Sequence, residues 1–140
     1  ASVLMFLDSP LYGLGLGTFM DHLDIYLSQY VHHRSGFMVL GAQYAHNGYL
    51  QILAEAGGMG LASFLAMLAT VLGGGLKELG KKFDPLLFGL LGGAASYCVH
   101  AFFDNGLYSL RLAMLFWFLL GLIGVLGRPV LNPSDGSATG

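Results

Sequence analysis

The residues whose types and spacing could support chemistry begin at AHNGYLQILAEAGGMG, Ala45 to Gly60. His46 and Asn47 stand at the mouth of an apolar run, with Gln51 and Glu55 following Asn47 at four-residue intervals. On an α-helix, Asn47, Gln51 and Glu55 make one polar stripe. His46, Gly57 and Gly60 make a second stripe beside it, within about 60° of one another, because eleven residues complete almost three turns. Glycines there let a neighbouring helix approach closely. In an apolar solvent the polar stripe must face protein or a wet cavity. His46 thus tops an inward-facing polar notch, either as a functional group or as an interfacial anchor beside Tyr49, with Asn47 capping the helix. Glu55, two turns deep, is either a functional ionisable group or a buried structural partner of Arg111 or His100.

Other chemistries are excluded or weaker. Gly13, Gly15 and Gly17 in YGLGLGTF do not fit GxGxxG, since Thr18 stands where glycine is needed, and no Lys-Ser/Thr follows for a P-loop. Alternating glycines permit unusual backbone angles and close approach. Their N–H groups either bind a phosphate oxygen or simply build a tight loop. His32 and His33 are adjacent, against the i,i+4 spacing of helical zinc sites. His100, Asp104 and Arg111 share a rim without a marked nucleophile, so no Ser/His/Asp triad is read there. The one cysteine, Cys98, lies in an apolar run and reads as a small buried hydrophobe.

These residues sit on elements whose nature follows from composition. The chain of 140 residues is 55% hydrophobic and only 10% charged, against about 25% charged in a soluble domain. There is too little polar surface to clothe a water-soluble globule, and the bilayer is the expected solvent. A net charge of -2 with no basic run argues against nucleic acid as a partner. Three apolar runs predict spans at about 47–76, 86–103 and 110–126, the first well beyond and the other two near the ~20 residues a bilayer requires. Residues 1–45 are read as the end of a preceding span and an outer loop, and 128–140 as a cytoplasmic, disordered tail. The start in ASVLMFL, without Met or a basic n-region, suggests the carboxy-terminal part of a longer membrane protein. Lys77, Lys81, Lys82 and Arg128 mark the cytoplasmic side, with Arg34 and Arg111 against the count. His46 and Asp8 to Ala45 then face outward, the periplasm in a bacterial inner membrane. Thr18 to Asp21 fits a capping box that starts an amphipathic helix near Phe19.

His46-Asn47, nine residues, Gly57, two residues and Gly60 reproduce the H-[NSQ]-x9-G-x2-G pattern of the bacterial O-antigen ligase and polymerase superfamily. DSPLYGLGLGTF resembles that family's lead into its large periplasmic loop, and HAFFDNGLYSLRLAMLFWFLLGLIG is similar to its last helical hairpin. The resemblance covers most of the chain, in order. It implies an all-α, GT-C-like polytopic membrane enzyme that needs no metal or other cofactor. Its implied donor is a glycan on undecaprenyl diphosphate, and its acceptor a hydroxyl of lipid A core, a polysaccharide or a protein Ser. By the same resemblance His46 activates or orients the acceptor hydroxyl, general-base work that suits an imidazole, and Asn47 orients His46 or the substrate. Family arginines upstream of PLYGLGLGTF have no counterpart here, which implies an incomplete catalytic unit. Arg34 is either a diphosphate contact or a solvated loop charge. The alternative from another class is a non-catalytic three-span protein of transport or assembly, with His46 and Glu55 structural.

Overall fold

The computed structural model describes residues 1–31 and 45–128. Arg34, His32, His33 and the tail expected to be disordered, apart from Arg128, lie outside these residues. Among the described residues the chain is all-helical: α1 (Ser2–Asp8), α2 (Phe19–Val31), α3 (Gly48–Lys81), α4 (Pro85–His100) and α5 (Leu110–Leu126), with a 3₁₀ turn at Gly106–Tyr108 between the last two.

Each boundary has a local cause. Asn47 caps α3, its side-chain oxygen accepting the Leu50 N–H at 2.9 Å. Asp84 caps α4 by accepting the amides of Leu86 and Leu87, and Pro85 occupies the first turn, where a missing N–H costs nothing. Helix α2 starts at Phe19, as the Thr18 signal predicts. The capping box itself does not form. The Thr18 hydroxyl donates back to the Gly15 carbonyl at 2.8 Å, and the Phe19 amide goes to Glu55, 36 residues away.

Leu68, Leu87, Leu91, Ala94, Phe116, Leu120 and Ile123 form the core between α3, α4 and α5, with Tyr97 stacked on Phe116. A smaller cluster of Met5, Phe19, Leu23 and Ala54 holds α1 and α2 to the start of α3. The outside of the three-helix unit is also apolar: Leu76, Phe88, Val99, Met114 and Phe118 are each more than half exposed. Apolar groups on both faces of a helix point to an apolar surround. Of the three expected spans, α3 is the one helix among the described residues long and apolar enough to cross a bilayer; α4 and α5 are shorter apolar helices. Their 16 and 17 residues rise roughly 24–26 Å, short of the ~30 Å hydrocarbon core. Helix α4 stops at His100 because residues 101–104 turn back on the Tyr97, Val99 and His100 carbonyls.

Helix α3 is two rods. At Gly57 the backbone swings to φ 67, ψ -169, and the helical ladder breaks. The segment after α1 crosses this break and takes up the freed groups in both directions. Leu14 and Gly15 donate to the Ala54 and Glu55 carbonyls, while Gly58 and Met59 donate to the Pro10 and Leu11 carbonyls, at 2.8–3.2 Å. The expected face joining His46 to Gly57 and Gly60 on one continuous helix therefore does not exist. Gly57 is needed for a left-handed backbone and for contact with another backbone, since a Cβ there would lie 2.4 Å from the Leu11 carbonyl oxygen. Gly13 meets it from the other side, where a Cβ would lie 2.3 Å from the Glu55 carbonyl. At Gly60 a Cβ would strike Ala56 of the preceding turn.

Gly57→Ala should cost about 3 kcal/mol or more, combining left-handed strain with forced backbone separation. Thermal unfolding in detergent measures this. Gly92→Ala, in open space on α4, should leave the midpoint unchanged or slightly raised.

Candidate functional site

Gln51 and Glu55 share one face of the first rod of α3 and are 1% and 2% exposed. The Glu55 carboxylate accepts four hydrogen bonds. Oε2 takes the Gly17 N–H at 2.9 Å and the Tyr108 hydroxyl at 2.6 Å; Oε1 takes the Phe19 N–H at 3.3 Å and Gln51 Nε2 at 3.2 Å. The Phe19 amide is the first of α2, so the charge also sits at the positive end of that helix. Gln51 Oε1 in turn accepts from Asn105 Nδ2. Burying a carboxylate costs several kcal/mol unless donors replace its water, and here donors come from the glycine loop, α2, α3 and the 3₁₀ turn. The partners expected for Glu55, Arg111 and His100, do not contact it. Tyr108 does, and burial together with its bond to Glu55 pushes its phenol well above the ordinary tyrosine range.

The same bonds decide what the glycine loop does. Gly15 and Gly17 adopt φ 119 and 76, backbone angles that favour glycine. Both amides are taken from within the chain, Gly15 by the Glu55 carbonyl and Gly17 by the Glu55 side chain. The anion held by this loop is the protein's own carboxylate. Beside it, Leu16, Ile52, Phe64, Leu107 and Trp117 line a mostly apolar groove of 380 Å³ that also reaches Gly17, Gly60, Tyr108 and Glu55.

His46 lies at the other end of the first rod, exposed and one residue before the cap. The backbone that carries it is held twice to the turn after α4: Asn47 Nδ2 donates to the Phe102 carbonyl at 3.1 Å and Gly48 N–H to the Ala101 carbonyl at 2.8 Å. Tyr49, one residue on, donates its hydroxyl to the Cys98 carbonyl at 2.8 Å. Both ends of the Asn47 amide are thus engaged with backbone, Oδ1 as a cap and Nδ2 as a tether. The turn brings the exposed pair His100 and Asp104, 3.6 Å apart, to the same rim. Among the described residues no cluster of His, Cys, Asp or Glu is arranged to hold a metal ion.

The expected residues thus divide into a rim, His46 with Asn47, and a centre around the buried Glu55 and Gly57, which Gly15 and Gly17 reach from the loop. Gly60 joins the groove. Tyr108 and Asn105 complete the centre. In the sequence they were visible only as parts of a turn, FDNGLYS, with no spacing that ties them to Glu55. No family model, curated protein or solved structure matches this chain.

Removing the Glu55 acceptor strands four donors, so Glu55→Ala should lower stability by about 3 kcal/mol or more. Tyr108→Phe, which removes one donor to a charged group, should cost about 1.5–3 kcal/mol. Detergent unfolding of both single variants and the double variant should show coupling rather than additivity. A raised phenol pKa means the folded chain holds that proton more tightly than the unfolded one. The contribution is therefore complete below the ordinary tyrosine value of about 10 and is withdrawn at higher pH. Tyr108→Phe should flatten the alkaline fall of the melting temperature.

Proposed function

We propose that this protein takes part in transferring a glycan from an undecaprenyl-diphosphate carrier to an acceptor hydroxyl at the outer face of the bacterial inner membrane. The observation that carries the reading is the exposed imidazole of His46 on a backbone doubly tethered to the turn after α4. It heads the one helix among the described residues that is long enough to cross the bilayer, and Lys77 and Lys81 mark the other end of that helix. The motif spanning His46, Asn47, Gly57 and Gly60 supports it further, because the two glycine positions have distinct steric roles at the break.

In this reading the acceptor hydroxyl oxygen attacks the anomeric carbon of the donor sugar. Its proton passes to the His46 imidazole as the new glycosidic bond forms. The bond from the anomeric carbon to phosphate oxygen breaks, and undecaprenyl diphosphate leaves with the electron pair. Asn47 acts through the backbone, fixing where the imidazole stands. Glu55 holds the glycine loop and the start of α2 against α3 and touches no reacting atom. The acceptor is a lipid A core, a growing polysaccharide or a protein Ser.

His46→Ala should reduce transfer from an undecaprenyl-diphosphate-linked glycan in membrane vesicles by roughly 10²-fold or more, the usual worth of a general base. Membrane insertion and melting temperature should stay unchanged, since the side chain is exposed. Ordinary transfer by this variant would return the protein to the non-catalytic class. Labelling of a His46→Cys variant in a Cys98→Ala background by an impermeant maleimide should occur from the outer side only; labelling from the cytosol alone would reverse the topology.

A further inference from the structure

Far from His46, a notch of 260 Å³ opens between α3 and α5, lined by Thr70, Val71, Gly74, Ile123, Gly124, Gly127 and Arg128. Its floor is bare backbone. A Cβ on Gly127 would stand 2.8 Å from the Gly75 nitrogen, and one on Gly74 would stand 3.5 Å from the Gly127 carbonyl oxygen. Gly124 leaves open space where a side chain would project. Val71 and Ile123 make the walls apolar, and exposed Arg128 stands at the mouth. Lys77, also exposed, lies one turn beyond Gly74 on the face that carries Thr70.

The charges at this end are unbalanced in a specific way. Glu78 pairs with Lys81 at 2.5 Å, and Asp84 accepts the first amides of α4. Both carboxylates are engaged, and among the described residues Arg128 and Lys77 have no acidic partner. A guanidinium fork at the mouth, with a second cation one turn further along α3, over apolar walls, is complementary to a phosphodiester with hydrocarbon attached. The volume is below the ~300–1,000 Å³ typical of soluble small-molecule sites, and the notch lies at the end of the long apolar helix, where head groups meet water.

The geometry points to this notch as a binding site for an anionic phospholipid, with its phosphodiester on Arg128 and Lys77 and its first acyl carbons along Val71 and Ile123. It rests on the membrane-spanning part of the proposed function and not on glycan transfer. Basic pockets between spans on the cytoplasmic side are suited to anionic head groups.

The test uses the full chain in phosphatidylcholine nanodiscs titrated with phosphatidylglycerol, with melting temperature and lipid retention by native mass spectrometry as readouts. Phosphatidylglycerol should raise the midpoint and remain bound. Arg128→Gln and the charge-preserving, notch-filling Gly124→Leu should each weaken retention roughly tenfold. Lys82→Gln, an equal loss of charge outside the notch, should change it less than about twofold. Equal losses in Lys82→Gln and Arg128→Gln would mean diffuse surface attraction and overturn the site. So would an equal midpoint shift from inorganic phosphate alone, or no response to phosphatidylglycerol. Extraction of the chain from membranes by alkaline carbonate would remove its basis. His46→Ala should bind phosphatidylglycerol normally, so failure of this site and failure of the transferase reading are separate results.

Discussion

A helix that breaks where its backbone is buried must hand its freed N–H and C=O groups to another part of the protein, because an unpaired buried polar group is costly. In this chain the break is at Gly57 and the recipient is the segment after α1. Four backbone bonds run between them, two in each direction, like a short stretch of ladder laid across the end of a rod. Such an exchange needs the two backbones in contact, which is why a glycine stands on each side, Gly13 and Gly57. Once the crossing is made, the register of the loop is set, and the amide of Gly17 meets a side chain of α3.

That side chain is Glu55, and its situation explains why the loop looks like an anion-binding element. The amide of Gly17, a positive-φ glycine, and the first amide of α2 meet at one carboxylate, and its negative charge satisfies both. Here the charge is covalently part of the fold. The result is a division of labour between two ends of a short rod. The buried end spends its polar groups on holding α2, α3 and the 3₁₀ turn together. The rim end keeps an imidazole in the open and fastens the backbone beneath it.

Much of this was legible from residues alone. Helix starts at Phe19 and near Asn47, Pro85 and Leu110 follow from capping signals and apolar runs, and Glu55 is marked by being ionisable inside such a run. The break at Gly57 was not legible. A glycine in an apolar helical pattern reads equally as a packing contact, and its left-handed angle depends on a partner over 40 residues away. The same distance hid the cap of α2. Thr18 carries the right side chain at the right place, yet a carboxylate from another helix outcompetes it for the Phe19 amide. Tyr108 and Asn105 were hidden for the same reason, since nothing local in FDNGLYS pairs them with α3.

The crossing at Gly57 also sets an order on biosynthesis. Residues 9–17 leave the ribosome well before residues 54–59, so the amides of Leu14 and Gly15 emerge without their acceptors. The α4–α5 hairpin, by contrast, joins neighbours in the chain and can close as soon as both arms exist. Helix α2 therefore receives its terminal anion only after the first rod of α3 has been made. Helices α1 and α2 are thus made before the segment that locks them, and the nascent chain passes through a stage in which they wait for the first rod of α3.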